Sequence, residues 1–437
     1  STDDPFSTGH PAVTMLLGVC TLSLVPQRAF TTQHRGRRQH AVSMEAVAAP
    51  QAPPQTVSAN EQDAAFAAII DRCENFAEDF DGFLQVAEDL RAVFHADFQQ
   101  YKTELRAAAT SQNVTCMRPC DGLHGVAERL EAGAPIRGDG LMEVELEVGR
   151  SAQCCEGCSA ACSRVVVPRF AGEAECAELC RLANAVMEVD QGDTVVTQLS
   201  LASAAFHGGP RLTLLMVRVV EKLRRAVAYE YGLPLASVAP HTAMVSRWGP
   251  EHGGCADGTP VHGDEAACDG FHYSSIVHLQ SQAELGPDDQ LVGEGGFSGG
   301  DFVFSDVATP ASLAAAASAP LADARVEIGS GKHGKSSSGR LLTRLAPQRG
   351  RATIFSSGWE NLHFVDRICA GRRFAMPAFF VTNAASAREG AGDLRGAVGR
   401  QEVAMALLQH VLSPAGDEDD GQFTALWHAM FAAPLED

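Results

Sequence analysis

GRATIFSSGWENLHFVDRICAGRRFAMPAFFVT, residues 350–382, sets short runs of apolar side chains between Gly, Asn and Asp. Within it RATIFS (351–356), ENLHFVDRI (360–368) and RRFAMPAFFVT (372–382) read as strands, because β-branched and aromatic residues recur between turn formers. The same punctuation appears upstream in HTAMVSRW (241–248), FHYSSIVHLQ (271–280) and DFVF (301–304). This succession predicts a double-stranded β-helix, or jelly roll, in an α+β chain with flanking helices. Two stretches interrupt it. Residues 281–300 are rich in Gly and acids, and residues 305–349 contain ASLAAAASAPLA and GSGKHGKSSSG, so both read as surface insertions.

Before the strands the pattern is helical. Val165 to Val167 is a short β-branched run, and GEAECAELCRLANAVM (172–187) follows with the period of an amphipathic helix. A second such helix covers 212–231, stopped by Gly232 and Pro234. Further upstream, Ser58-x-x-Glu61 forms a possible capping box. Phe66, Ile69, Cys73, Phe76, Phe80, Phe83, Ala87, Leu90, Phe94, Tyr101 and Leu105 then recur at three- and four-residue steps. That stripe predicts a long helix or helical hairpin whose apolar face serves packing, or a partner docked through residues 60–108.

AAPQAPPQTV (48–57) is a linker composition that cannot build a core. Ahead of it, residues 1–44 carry four Arg against two Asp, and the apolar run AVTMLLGVCTLSLV (12–25) has the length of a signal-peptide core. The segment reads as a targeting leader, with a disordered tail as the alternative. The expected organisation is therefore a leader and linker (1–57), a helical and Cys-rich region (58–163), a catalytic domain (164–390) and a helical tail (391–437).

Composition narrows the function. With 54 acidic and 34 basic residues the net charge is −20, which repels a nucleic-acid backbone, and no apolar run reaches the length of a membrane-spanning helix. The 13 cysteines cluster as Cys116 and Cys120, then Cys154, Cys155, Cys158 and Cys162, then Cys176 and Cys180. Zinc, disulfides and free thiols all stay open for the first two groups. Cys176 and Cys180 fall on the apolar face of their helix and read as small buried hydrophobes.

The chemistry begins at PVHGDE (260–265). Residues two apart on a strand share a face, so His262 and Asp264 can bind one metal together. His363 is the best third ligand. Two His and one carboxylate on a jelly roll make the facial arrangement of non-haem Fe(II) oxygenases, which leaves coordination positions open. Arg373, ten residues past His363, adds a guanidinium able to hold a dicarboxylate in a bidentate pair. Trp248 and Phe304 are candidate pocket walls and Tyr273 is ambiguous, whereas His252, His272 and His333 read as loop or surface histidines.

Taken together, HGDE, YSSIVHL, GGDFVF, GRATIFSSGWENLHFV and GRRFAMPAFFVT resemble the catalytic domain of the Fe(II)- and 2-oxoglutarate-dependent prolyl hydroxylases. PVHGDE and the FSSG-to-GRR run are most similar to the prolyl 3-hydroxylase (leprecan) branch. The similarity covers roughly residues 165–385. It implies that His262, Asp264 and His363 bind Fe(II), and that Arg373, not its neighbour Arg372, binds the distal carboxylate of 2-oxoglutarate. It also implies O2 as second co-substrate, L-ascorbate as a helper, and a protein or peptide substrate, first of all peptidyl proline. His278 stands where the family usually carries a Tyr, so that contact to the co-substrate is replaced or lost. A secretory leader (ER lumen) fits the family, and an organelle leader, such as a plastid one, fits the arginines. The alternatives are a scaffold protein with a decayed oxygenase domain and a 2-oxoglutarate oxygenase acting on another side chain or a small molecule.

Overall fold

Strand Arg373–Val381 is buried along almost its whole length, and it takes the place that such a strand must take, inside a sheet covered on both faces. The computed structural model of the chain describes residues 59–74, 80–114, 162–189, 198–201, 204, 208–250, 255–256, 258–264, 271–285, 290–293, 295–318, 320–329 and 339–382. All belong to one unit, Ala59–Asp437.

The larger sheet is assembled from β1 (Thr110–Val114), β2 (Cys162–Val167), β3 (Gln198–Ser200), β4 (Ala239–Trp248) and β5 (Tyr273–His278). Short hairpin strands β6 (Glu284–Leu285) and β7 (Leu291–Val292) and strand β8 (Phe297–Gly299) precede the smaller sheet. That sheet uses β9 (Phe302–Val307), β10 (Arg325–Gly329), β11 (Arg340–Leu345) and β13 (His363–Val365). The remaining strands are β12 (Ala352–Ser356), β14 (Ile368–Gly371) and β15, the Arg373–Val381 strand. The seven-stranded sheet runs β1-β2-β12-β5-β15-β4-β3 and the four-stranded one β10-β11-β9-β13, while β8 pairs with β14. Every named strand pair is antiparallel.

Side-chain alternation fixes what each face meets. Val166, Ile276, Phe355 and Ala375 of the large sheet pack against Phe302, Phe304, Leu345 and Val365 of the small one, closing a double-sheet core. Residues one step along, Val165, Val277, Ile354 and Met376, point the other way into helices α3 (Glu173–Val189) and α4 (Gly209–Glu230). Cys176, Leu179, Ala183 and Met187 of α3 lie in that layer, so the expectation for Cys176 holds. Cys180 is half-buried against it, and burial raises both thiols to about 12.

The aromatic stripe of the N-terminal region forms α1 (Ala59–Glu74) and α2 (Phe80–Gln100), and of the two expected uses its described side chains serve packing. Phe66, Ile69, Ile70, Leu90, Val93, Phe94 and Tyr101 are buried in the same core as α3 and α4, because a helix covering one sheet face is itself in need of cover. One expectation needs correction: the stretch 305–349 is not a surface insertion throughout. It supplies helix α5 (Pro310–Ser318), exposed edge strand β10 and the buried strand β11, which is paired along its length with β9. Its Ala, Gly and Ser content hid a strand whose apolar residues, Leu341, Leu342 and Leu345, fill the inter-sheet space and its neighbourhood. The leader, the tail and the cysteines from Cys116 to Cys158 lie outside the described residues; Cys162 is buried and disulfide-bonded. No described helix is long and apolar enough to cross a membrane.

Candidate metal centre

His262, Asp264 and His363 converge, with one ligand atom from each within 4.8 Å of the others. Asp264 Oδ1 lies 3.6 Å from His262 Nε2 and 3.7 Å from His363 Nε2. Bonds of about 2.1 Å at right angles would put neighbouring donors about 3 Å apart, so the two Asp264 contacts need to close by less than an ångström to share a metal. The HxD pair does not sit on a strand as expected. His262 is paired with His363 as a single bridge, exchanging backbone hydrogen bonds at 3.0 and 2.9 Å, and Asp264 lies just beyond it.

Both imidazoles are oriented from behind. Nδ1 of His262 faces the Pro260 carbonyl at 2.8 Å, and Nδ1 of His363 faces the Asn361 carbonyl at 2.9 Å. A carbonyl only accepts, so each ring carries its proton on Nδ1 and turns the Nε2 lone pair toward Asp264, as metal-binding histidines do. His363 is packed among Phe302, Phe304 and Phe355. Burial pulls its pKa down to about 4 although Asp264 pulls the other way, so at neutral pH the ring is neutral, with Nε2 free to ligate. Of the three, only the His262 side chain is open to solvent, at 25% exposure.

A buried brace missed by sequence reasoning holds the His363 turn. Arg164 of β2 donates to Asn361 Oδ1 at 2.7 Å and to the Glu360 carbonyl at 3.0 Å, and forks onto both Asp306 oxygens at 2.8 and 2.5 Å. Asn361 in turn donates to the Ser356 carbonyl and hydroxyl at 2.8 and 2.9 Å. The guanidinium also lies over the Phe304 ring at 4.1 Å, tying the large sheet to the small one. Its one sequence signal was a charge beside the β-branched run Val165–Val167 in CSRVVV.

Arg373 faces the same inter-sheet space. Ala375 belongs to that inner layer, and Arg373 two residues earlier shares its face, opposite Trp248 of β4. The guanidinium is buried with Nε and Nη2 lacking hydrogen-bond partners, and burial lowers its pKa to about 10 despite the nearby Asp301 charge. It remains a cation at neutral pH. Gly300 lets the chain pass over it: at φ +73° no ordinary side chain is comfortable, and a Cβ there would come within 2.9 Å of Arg373 Cδ. His278 pairs with Ala375 and so joins the same face, fully buried with neither ring nitrogen satisfied. Burial, then the charges of Arg373 and Arg351, hold it neutral. Thr353 Oγ1 and Trp248 Nε1 are buried without partners on this face too. Unpartnered nitrogens and a hydroxyl gathered on one face around a guanidinium are the chemistry of a place for an anion.

The other candidates fall elsewhere. Arg372 points outward, 57% exposed, toward Glu188 at 3.4 Å. Tyr273 faces the helices and packs on Tyr231, with ring centroids 4.2 Å apart. His272 Nδ1 is held by Thr382. His252 and His333 lie outside the described residues.

No family model and no curated protein matches the chain. Solved structures do. The epimerase SnoN, in complex with Fe3+, alpha ketoglutarate and nogalamycin RO, aligns over 59% of this chain and 84% of its own at 15% identity and TM-score 0.32. The viral collagen prolyl hydroxylase vCPH of Paramecium Bursaria Chlorella virus-1, a 2OG complex, aligns over 50% and 95% at 13% identity and TM-score 0.29. A prolyl hydroxylase from Trichoplax adhaerens, in complex with a hypoxia inducible factor peptide fragment, aligns over 50% and 83% at 13% identity and TM-score 0.32. The likeness is one of fold.

Proposed function

We propose that this chain is an Fe(II)- and 2-oxoglutarate-dependent dioxygenase that hydroxylates a protein side chain, peptidyl proline first, in the manner of the prolyl 3-hydroxylase branch. The observation that carries the reading is the buried Arg373 guanidinium, with Nε and Nη2 unpartnered, facing an inter-sheet space that His363 of a His, Asp, His cluster shares through Phe302, Phe304 and Phe355. A scaffold with a decayed site has no reason to keep either: an unpaired buried cation is costly and is lost unless a ligand uses it.

In this reading His262 and His363 hold the metal through Nε2 while their Nδ1–H groups donate to the Pro260 and Asn361 carbonyls. Asp264 supplies the anionic ligand. Arg373 binds the remote carboxylate of 2-oxoglutarate as a two-pronged donor, and neutral His278 donates one ring N–H in place of the family's phenol. When bound, the metal with 2-oxoglutarate and O2 supplies an oxidative decarboxylation to succinate and CO2 and puts one oxygen atom into a C–H bond. Phe302, Phe304 and Phe355 keep water from that space. L-Ascorbate would serve to restore the ferrous state. An oxidising compartment such as the ER lumen agrees with the Cys255–Cys369 disulfide and with bonded Cys162.

Anaerobic absorption tests the chemistry. Fe(II) and 2-oxoglutarate together should give a visible charge-transfer band in the protein and none in His262→Ala; absence of the band from both would overturn the assignment. The substrate is tested by comparing proteomes of cells with and without the protein for oxidised Pro, Lys and Asn, and a peptide gaining oxygen at proline is the expected result.

A further inference from the structure

The stretch that carries His262 and Asp264 is joined to the stretch that carries His363 by a short ladder of its own. Beyond the His262 and His363 pair, Ala256 and Ile368 exchange backbone hydrogen bonds at 2.8 and 3.1 Å. Between the two pairs Thr259 Oγ1 accepts from the Val365 N–H at 2.6 Å. Gly258 runs so close to the strand that a Cβ there would meet the Val365 carbonyl oxygen at 1.7 Å. The ladder ends in the disulfide Cys255–Cys369, which spans a sequence separation of 114. Cys255 is exposed and Cys369 half-buried, so an external thiolate can reach the bond.

We propose that the Cys255–Cys369 disulfide is a positioning element of the metal centre, and that its reduction by a dithiol weakens metal binding. The proposal rests on the metal reading above. Two ligands come from one stretch and one from the other, so the site exists only while the two are in register. Backbone hydrogen bonds at the end of a ladder fray. A covalent tie across a long loop removes that freedom before the metal arrives, whereas without it ordering is charged against binding. In the reductive step a dithiol thiolate attacks one sulfur, the S–S bond breaks, and the second thiol of the reagent resolves the mixed disulfide. The reagent gives up two electrons and becomes a disulfide, while Cys255 and Cys369 take two protons as thiols. Linkage is reciprocal, so bound metal must hold the pair oxidised by the same factor by which oxidation favours the metal.

The test uses the full chain and Mn(II), whose free-ion electron paramagnetic resonance signal disappears on binding and which has little taste for thiolates. Titrations compare oxidised protein, protein reduced with dithiothreitol and freed of reagent, and the Cys255→Ser/Cys369→Ser variant. The expected result is roughly tenfold weaker Mn(II) binding in the last two, with no further effect of reduction on the variant. Equal affinity in all three overturns the proposal. Uptake that His262→Ala does not abolish sinks instead the metal reading on which it stands. Should the variant misfold, the midpoint potential of the pair in wild type, read by differential alkylation with and without Mn(II), decides: a tenfold coupling appears as a shift of about 30 mV, and no shift refutes it.

Discussion

Arg373 and its neighbour Arg372 differ by one position and by everything that matters for binding. Strand alternation sends Arg373 into the inter-sheet space and leaves Arg372 in solvent beside Glu188. A hydrogen-bonded contact to a charged group contributes about 1.5–3 kcal/mol. Arg373→Ala should therefore weaken 2-oxoglutarate by roughly 10- to 100-fold at unchanged Mn(II) affinity, while Arg372→Ala leaves both alone. Arg373→Lys should not rescue, since a point charge lacks the planar fork. Titration of the charge-transfer band measures all three, and undiminished 2-oxoglutarate binding by Arg373→Ala would remove that residue from the site. Asn361 makes the corresponding case for the metal. Its side chain is held by Arg164 and Ser356 while its backbone carbonyl accepts a hydrogen bond from His363 Nδ1–H. Partners of this kind are worth about 10- to 100-fold in metal affinity, the loss expected for Asn361→Ala in an Mn(II) titration.

At the scale of elements, α2 and α4 are joined by a buried ion pair in which Arg218 donates to both Asp97 oxygens at 2.8 Å. Burial works against the Asp97 carboxylate, yet Lys222 and Arg218 outweigh it and hold the group below its ordinary 3.8. The pair's stabilisation is thus complete above that value and is lost as pH falls through the lower folded one. Arg218→Ala leaves a buried anion and should cost about 3–5 kcal/mol, whereas Asp97→Leu combined with Arg218→Met should recover most of it; urea unfolding at pH 7 distinguishes the two. On α3, burial keeps Cys176 and Cys180 protonated, with pKa values pushed up to about 12. Iodoacetamide at pH 8 should label them only after denaturation, which peptide mass spectrometry can read; rapid native labelling would contradict the packing. These elements also show what a sequence discloses. The strands around His363 were legible because short β-branched and aromatic runs stood between turn residues, and α3 and α4 because their apolar residues kept a helical period. Strand β11 was hidden in a stretch whose composition was that of a loop. The link between Cys255 and Cys369 was hidden because spacing alone does not determine pairing over such a separation. The Arg164 brace depends on Asp306 and Asn361, which approach it only in three dimensions.

Across the whole molecule, the N-terminal helices are structural parts of the double-sheet core. Phe66, Ile69, Ile70, Leu90, Val93, Phe94 and Tyr101 are each buried to 5% exposure or less against α3, α4 and one another. Without the two helices the apolar side chains of α3 and α4 that they cover would stand in water, at roughly 1.5–3 kcal/mol for each large side chain exposed. Tyr101 adds a directional tie, its hydroxyl donating to Glu230 at 2.6 Å at the end of α4. Behind α4 stands the outer face of the sheet whose inner face carries Arg373 and His278, so loosening the helices loosens the floor of the pocket. A chain beginning at residue 109 should therefore lose cooperative thermal unfolding and Mn(II) binding together, and native hydrogen exchange of the intact protein should show α2, α4 and β12 opening with one free energy. A shortened chain that still melts sharply and binds metal would make the helices an accessory and return them to the role of a docking module.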